Sequence, residues 1–208
     1  MSRSRDRAAR REHIEESDDA AIDALFPEGI AELSARHFSP VSVARRAAEL
    51  LAPTSDHRVL DLGAGPGKFC IVGAAWTGAS FTGIEHRKHF VKAAIEAAAR
   101  SGVANAHFIH ANMLELSWRP YDSYYLFNPF AEQLLGGIDG TVTVSPARFA
   151  FYVREVRERL RLARMGTRVV TYHGFGGNMP PSFRLVLREQ AGSDELELWV
   201  KDHRAEIA

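Results

Sequence analysis

Four short clusters in this sequence carry residue types that can hold a ligand. Asp61-Leu62-Gly63-Ala64-Gly65-Pro66-Gly67 joins a carboxylate to glycines at alternate positions. Glu85-His86, Asn112-Met113 and Asn128-Pro129-Phe130 each follow an apolar run. A glycine turn lets backbone N–H groups approach a ligand closely. A carboxylate at Asp61 attracts a cation and repels a phosphate. Glu85 can accept hydrogen bonds from two ribose hydroxyls, and the Asn112 amide can read the edge of a base.

Regular elements must bring these clusters together. Apolar segments at Arg58–Leu62, Ser80–Glu85, Ala106–His110, Tyr121–Phe127 and Thr167–Tyr172 read as strands. Helices are expected between them at Lys68–Trp76, Lys88–Arg100 and from Ser145-Pro146 to Gly166, with a further helix opening at Ser39-Pro40. Ser39 reads as the N-cap of that helix. Phe183–Glu189 and Glu195–Lys201 read as a closing antiparallel hairpin. Strands alternating with helices make an α/β, doubly wound, mostly parallel sheet. In such a sheet ligands bind beyond the carboxyl ends of the strands, which is where all four clusters fall.

Two ligand classes compete for the glycine turn. A dinucleotide fingerprint needs Gly-x-Gly-x-x-Gly, and an NAD-dependent oxidoreductase remains an alternative on Gly63 and Gly65. Lys68 stands where the third glycine belongs, and Asp61 is awkward beside a pyrophosphate. S-adenosylmethionine carries a sulfonium and an ammonium and no phosphate, so Asp61 favours it.

The four clusters, in this order and spacing, resemble the motifs of class I S-adenosylmethionine-dependent methyltransferases from about residue 36 to the end. Val59–Gly67 is similar to their first motif, Phe81–Glu85 to the second, Phe108–Met113 to the third and Tyr125–Phe130 to the fourth. The resemblance implies the Rossmann-like methyltransferase fold, a seven-stranded sheet whose final strand inserts beside the fifth. It implies a cofactor site of Asp61, Gly63, Ala64, Gly65, Gly67, Glu85, His86, Asn112, Met113 and Asn128, with S-adenosyl-L-homocysteine as the product. Ser39 corresponds to a position that touches the cofactor's methionine carboxylate in amino-methylating relatives.

For the acceptor, Asn128-Pro129-Phe130 is similar to the Asn-Pro-Pro-aromatic signature of amino-group methyltransferases, short by one proline. Asn128 and Phe130 are therefore expected on the acceptor side, and the acceptor atom is expected to be nitrogen. There is also partial similarity to non-SET lysine methyltransferases, but the histone substrate is not carried over, because their long N-terminal region is missing here. Tyr172-His173-Gly174-Phe175-Gly176-Gly177-Asn178 reads as a lid, with His173 as a proton acceptor. A non-catalytic cofactor-binding module is the other alternative.

Composition narrows the partners. Formal net charge is +0, so a protein side chain or small molecule is preferred as acceptor, with nucleic acid not excluded. One cysteine, Cys70, and an arginine-rich start without an apolar stretch point to the cytoplasm. No run is long enough for a membrane span. Residues 1–35 read as a charged arm or helical extension before a domain at 36–208. The histidine spacings complete no metal site, so none is expected. The arginines of 154–164 alternate with Glu155 and Glu158 and read as a solvated helix face.

Overall fold

The computed structural model describes residues 19–135 and 143–202; the charged stretch 1–18 lies outside them. The helices are α1 (Asp19–Asp23), α2 (Glu28–Ala31), α3 (Ser34–His37), α4 (Val41–Leu51), α5 (Lys68–Thr77), α6 (Lys88–Ser101), α7 (Glu132–Leu135) and α8 (Pro146–Arg161). The strands are β1 (Arg58–Leu62), β2 (Ser80–Glu85), β3 (Ala106–His110), β4 (Ser123–Phe127), β5 (Arg168–Tyr172), β6 (Phe183–Ala191) and β7 (Asp194–Lys201). They form one sheet of seven strands in the order β3-β2-β1-β4-β5-β7-β6. The first five are parallel, and β7 runs antiparallel between β5 and β6. Strand order reverses at β1, which pairs with both β2 and β4.

Apolar side chains cover both faces of the sheet. Val59, Phe69, Phe81 and Tyr125 belong to one buried cluster with α4, α5 and α6. Leu60, Leu62, Ile84 and Leu126 belong to the other, with Val156 and Leu160 of α8. Successive strand residues point to opposite faces, so near-continuous apolar runs fill both cores. Gly67 has φ 86°, and a Cβ there would lie 2.3 Å from the Phe108 ring. Only glycine lets the turn pass beneath β3.

Residues before the sheet pack onto the same core through Ile22 and Phe26. Lys68, at the start of α5, is 2% exposed, and its ammonium lies 2.6 Å from Asp19 and 2.7 Å from Asp23. It also donates to Ser34 Oγ at 2.8 Å. The expected Ser39 cap does not form. The Asp19 carboxylate accepts from Val41 N at 3.0 Å instead, and Ser39 Oγ bonds Tyr125 Oη at 2.7 Å. Ser145 does cap α8, accepting from Arg148 N, with Pro146 in the first turn.

Candidate functional site

The carboxyl ends of β1, β2, β3 and β4 frame two adjoining cavities, of about 510 and 130 Å³. Gly63, Arg87, Pro129 and Glu132 line both. The larger also holds Glu85, His86, Asn112, Met113 and Phe130. The smaller holds Ser39, Asp61, Ala64, Gly65 and Asn128. The fold thus gathers nearly every expected site residue at one sheet edge. Gly67 and His173 line neither cavity.

The glycine turn uses its donors to dock on β2. Gly63 N and Ala64 N both donate to Ile84 O, at 3.0 and 2.9 Å. Gly65 N donates to Glu85 Oε2 at 3.0 Å, and Gly67 N closes on Ala64 O. The turn shapes the cleft through its backbone path, while these N–H groups face β2.

Asp61 is 4% exposed, and its one side-chain partner is the Cys70 thiol, 3.5 Å away. Burial raises its pKa to about 7; the Glu85 charge adds to this, and the Cys70 hydrogen bond opposes it. Among the described residues no cation pairs with it. Glu85 is equally buried. Burial alone raises a carboxyl pKa, but hydrogen bonds from His86 and Arg87 and the guanidinium charge lower this one to about 2. Arg87 N and Nε each lie 2.9 Å from Glu85 Oε1. His86 Nδ1 lies 3.1 Å from the same oxygen, and its pKa is raised by that bond.

Asn112 uses both ends of its amide within the chain. Oδ1 accepts from Leu114 N at 3.0 Å, and Nδ2 donates to Tyr152 Oη at 2.8 Å. Phe130 stacks on Tyr152 at 5.3 Å and 13°. It lines the larger cavity and Asn128 the smaller, with Pro129 lining both.

Asn128 has φ 39°, a left-handed conformation that asparagine tolerates better than most residues. Its N–H donates to Gly174 O at 3.0 Å, which fixes the turn. Its side-chain amide makes no hydrogen bond among the described residues, and it lines the smaller cavity with Asp61.

His173 is paired with the β6–β7 hairpin and stacks on Phe127, which lines the smaller cavity. Nδ1 lies 2.6 Å from Asp194 Oδ2, and Nε2 lies 3.2 Å from Ser193 Oγ, at the tip of the β6–β7 hairpin. The expected lid is packed down as well. Phe175 is 1% exposed, and Gly176 and Gly177 lie against Phe149 and Val153 of α8. Sequence reasoning missed Arg87, Glu132 and Tyr152. Arg87 follows the ribose-ligand position by two residues, which is the signal that was available. Among the described residues no three His, Cys, Asp or Glu side chains converge as metal ligands, and no helix is long and apolar enough to cross a membrane.

A family described as a methyltransferase domain matches residues 53–131, the span from just before β1 to just after the Asn-Pro-Phe turn. No curated protein matches by sequence. Among solved structures, the chain is similar to an RNA methyltransferase from Salinibacter ruber in complex with S-adenosyl-L-homocysteine. Identity is 20%, coverage is 82% of this chain and 97% of that one, and the TM-score is 0.59. It is similar to TrmN from Thermus thermophilus at 21% identity and TM-score 0.62, covering 83% of this chain and 52% of that one. It is also similar to an rRNA methylase from Streptococcus thermophilus at 12% identity and TM-score 0.51, covering 77% and 94%. At these identities the likeness is one of fold.

Proposed function

We propose that the chain is a class I S-adenosylmethionine-dependent methyltransferase, a reading supported by its matched domain and its sheet, and that the methyl group goes to a nitrogen presented at Asn128. The cofactor fits the residues present. Asp61 is a buried carboxylate without a cation, and S-adenosylmethionine brings one. The larger cavity suits the base and ribose, with Glu85 below the hydroxyls and Met113 and His86 beside the base. The smaller suits the methionine end, with Ser39 near its carboxylate.

The bound cofactor supplies an activated methyl group on a sulfonium sulfur. What remains for the chain is to hold and orient the partners. Asp61 anchors the positive methionine end. The Asn128 amide accepts a hydrogen bond from the acceptor N–H and turns the nitrogen lone pair toward the cleft. His173 is held at the hairpin, so the acceptor proton passes to water at the cleft mouth. The observation that carries this reading is the unpartnered Asn128 amide, fixed by its backbone in the cavity that Asp61 lines.

The near-neutral charge of the chain favours a protein side chain or a small molecule as acceptor. A second reading, an RNA base nitrogen, draws on the descriptions of the Salinibacter and Streptococcus proteins and on Arg148, which lines the larger cavity. The test incubates the protein with labelled S-adenosylmethionine and cell extract, then digests protein, RNA and small molecules separately. Methyl-nitrogen products in one fraction, lost with Asn128→Ala while S-adenosylhomocysteine binding persists, support the proposal. Methyl-oxygen or methyl-carbon products alone refute the nitrogen assignment.

A further inference from the structure

Glu85, the carboxylate assigned to the ribose, is already fully subscribed. Its Oε1 accepts from Arg87 N, Arg87 Nε and His86 Nδ1, and its Oε2 accepts from Gly65 N and from Arg87 Nη2 at 3.2 Å. A carboxylate offers about four lone-pair sites, so two ribose hydroxyls cannot simply be added. At least two donors have to leave. The Gly65 and Arg87 N–H groups are fixed in the backbone; of the two side chains, His86 holds Oε1 alone, whereas the guanidinium spans both oxygens as a ribose diol would.

Arg87 also has somewhere else to stay. Its Nη1 lies 3.3 Å from Glu132 Oε2, and its guanidinium carbon sits 4.5 Å from the centre of the Phe90 ring. Neither contact is made through Nε or Nη2, the atoms that hold Glu85. Arg87 and Glu132 line both cavities, so this pair stands where the two halves of the cleft meet.

Resting on the cofactor reading above, we propose that Arg87 is a latch that competes with the ribose for Glu85 and, once displaced, remains on Glu132 and Phe90 between the two halves of the cleft. It makes affinity depend on a ligand's ability to replace a bidentate guanidinium with two hydroxyls. A bidentate, charge-assisted contact is strong, so its removal from the competition is measurable.

The experiment compares S-adenosylhomocysteine with its 2′,3′-dideoxy analogue by calorimetry, on wild type and Arg87→Met. The expected result is about tenfold tighter binding of S-adenosylhomocysteine to Arg87→Met, with less than about twofold change for the analogue. The analogue leaves Glu85 to the guanidinium and gains nothing from its removal. Weaker or unchanged S-adenosylhomocysteine binding overturns the latch, and equal gains for both ligands show a plain obstruction instead. Should Arg87→Met not fold, Arg87→Lys keeps the charge without the fork and is expected to give a smaller gain for S-adenosylhomocysteine alone. A wild-type protein that binds neither ligand refutes the cofactor reading itself, and the latch with it.

Discussion

Asp61 and Glu85 sit on adjacent parallel strands, both nearly buried, and are held in opposite states. Glu85 is ringed by donors, and its pKa is lowered to about 2. Asp61 has one thiol, and its pKa rises to about 7. Burial acts alike on both, so the partners decide the outcome. Glu85 is anchored by the protein's own cation, whereas among the described residues Asp61 has none, and the proposed cofactor would supply one. On the proposed reading this is a division of tasks: Glu85 ties the glycine turn to the sheet edge as well as facing the ribose, and Asp61 meets the cofactor's charge.

Removing each side chain should break the symmetry of the pair. Glu85→Ala takes the acceptor from Arg87 Nε and Nη2 and from the Gly65 N–H. Stability should fall by about 3 kcal/mol, seen in chemical unfolding, and S-adenosylhomocysteine affinity by roughly a hundredfold. Asp61→Asn should act in the opposite direction on the fold. It removes a buried charge of nearly the same shape, so stability at pH 7.5 should rise by about 2 kcal/mol. S-adenosylmethionine affinity should fall about thirtyfold in the same protein. A parallel loss of stability in both variants contradicts the division of tasks.

Acidity sharpens the same contrast. The Asp61 pKa is raised on folding from 3.8 to about 7, so folding takes up a proton between those values. Stability is therefore lost as pH rises from about 4 to 7, by roughly 4 kcal/mol in all, and Asp61→Asn should abolish that slope. The Glu85 pKa is lowered from 4.5 to about 2, so its contribution is present above 4.5 and is lost as pH falls toward 2. Cofactor binding at pH 6.5 should expel the Asp61 proton, read as a heat that changes with the ionisation enthalpy of the buffer. The smallest effect belongs to Ser39→Ala. Loss of its buried bond to Tyr125 should cost about 1 kcal/mol, with a modest rise in cofactor Kd.

The strands and their ends were legible because each is an apolar run closed by glycine or a polar residue. The five parallel strands and the hairpin lie within two residues of the expected boundaries, and β7 inserts beside β5. What the sequence concealed is pairing across distance. Ser39 looks like a cap, yet Asp19 supplies that bond from another helix. His173 looks free in a glycine-rich loop, yet the hairpin tip returns to bind it. Phe130 is assigned by its position in a motif, yet its stacking partner, Tyr152, comes from a distant helix. Local spacing encodes elements, but side-chain partners depend on which elements the fold makes neighbours.

Lys68 carries a last consequence. Its ammonium has three protons, and Asp19, Asp23 and Ser34 receive them. It begins α5 directly after the glycine turn, and Asp19 also caps α4. Lifting α1 therefore strands a buried charge beneath the turn and uncaps a helix at once. In native-state hydrogen exchange, the amides of Val41 and of the first turn of α5 should open together with α1 and share one free energy. The earliest described segment would then set how often the glycine turn comes apart.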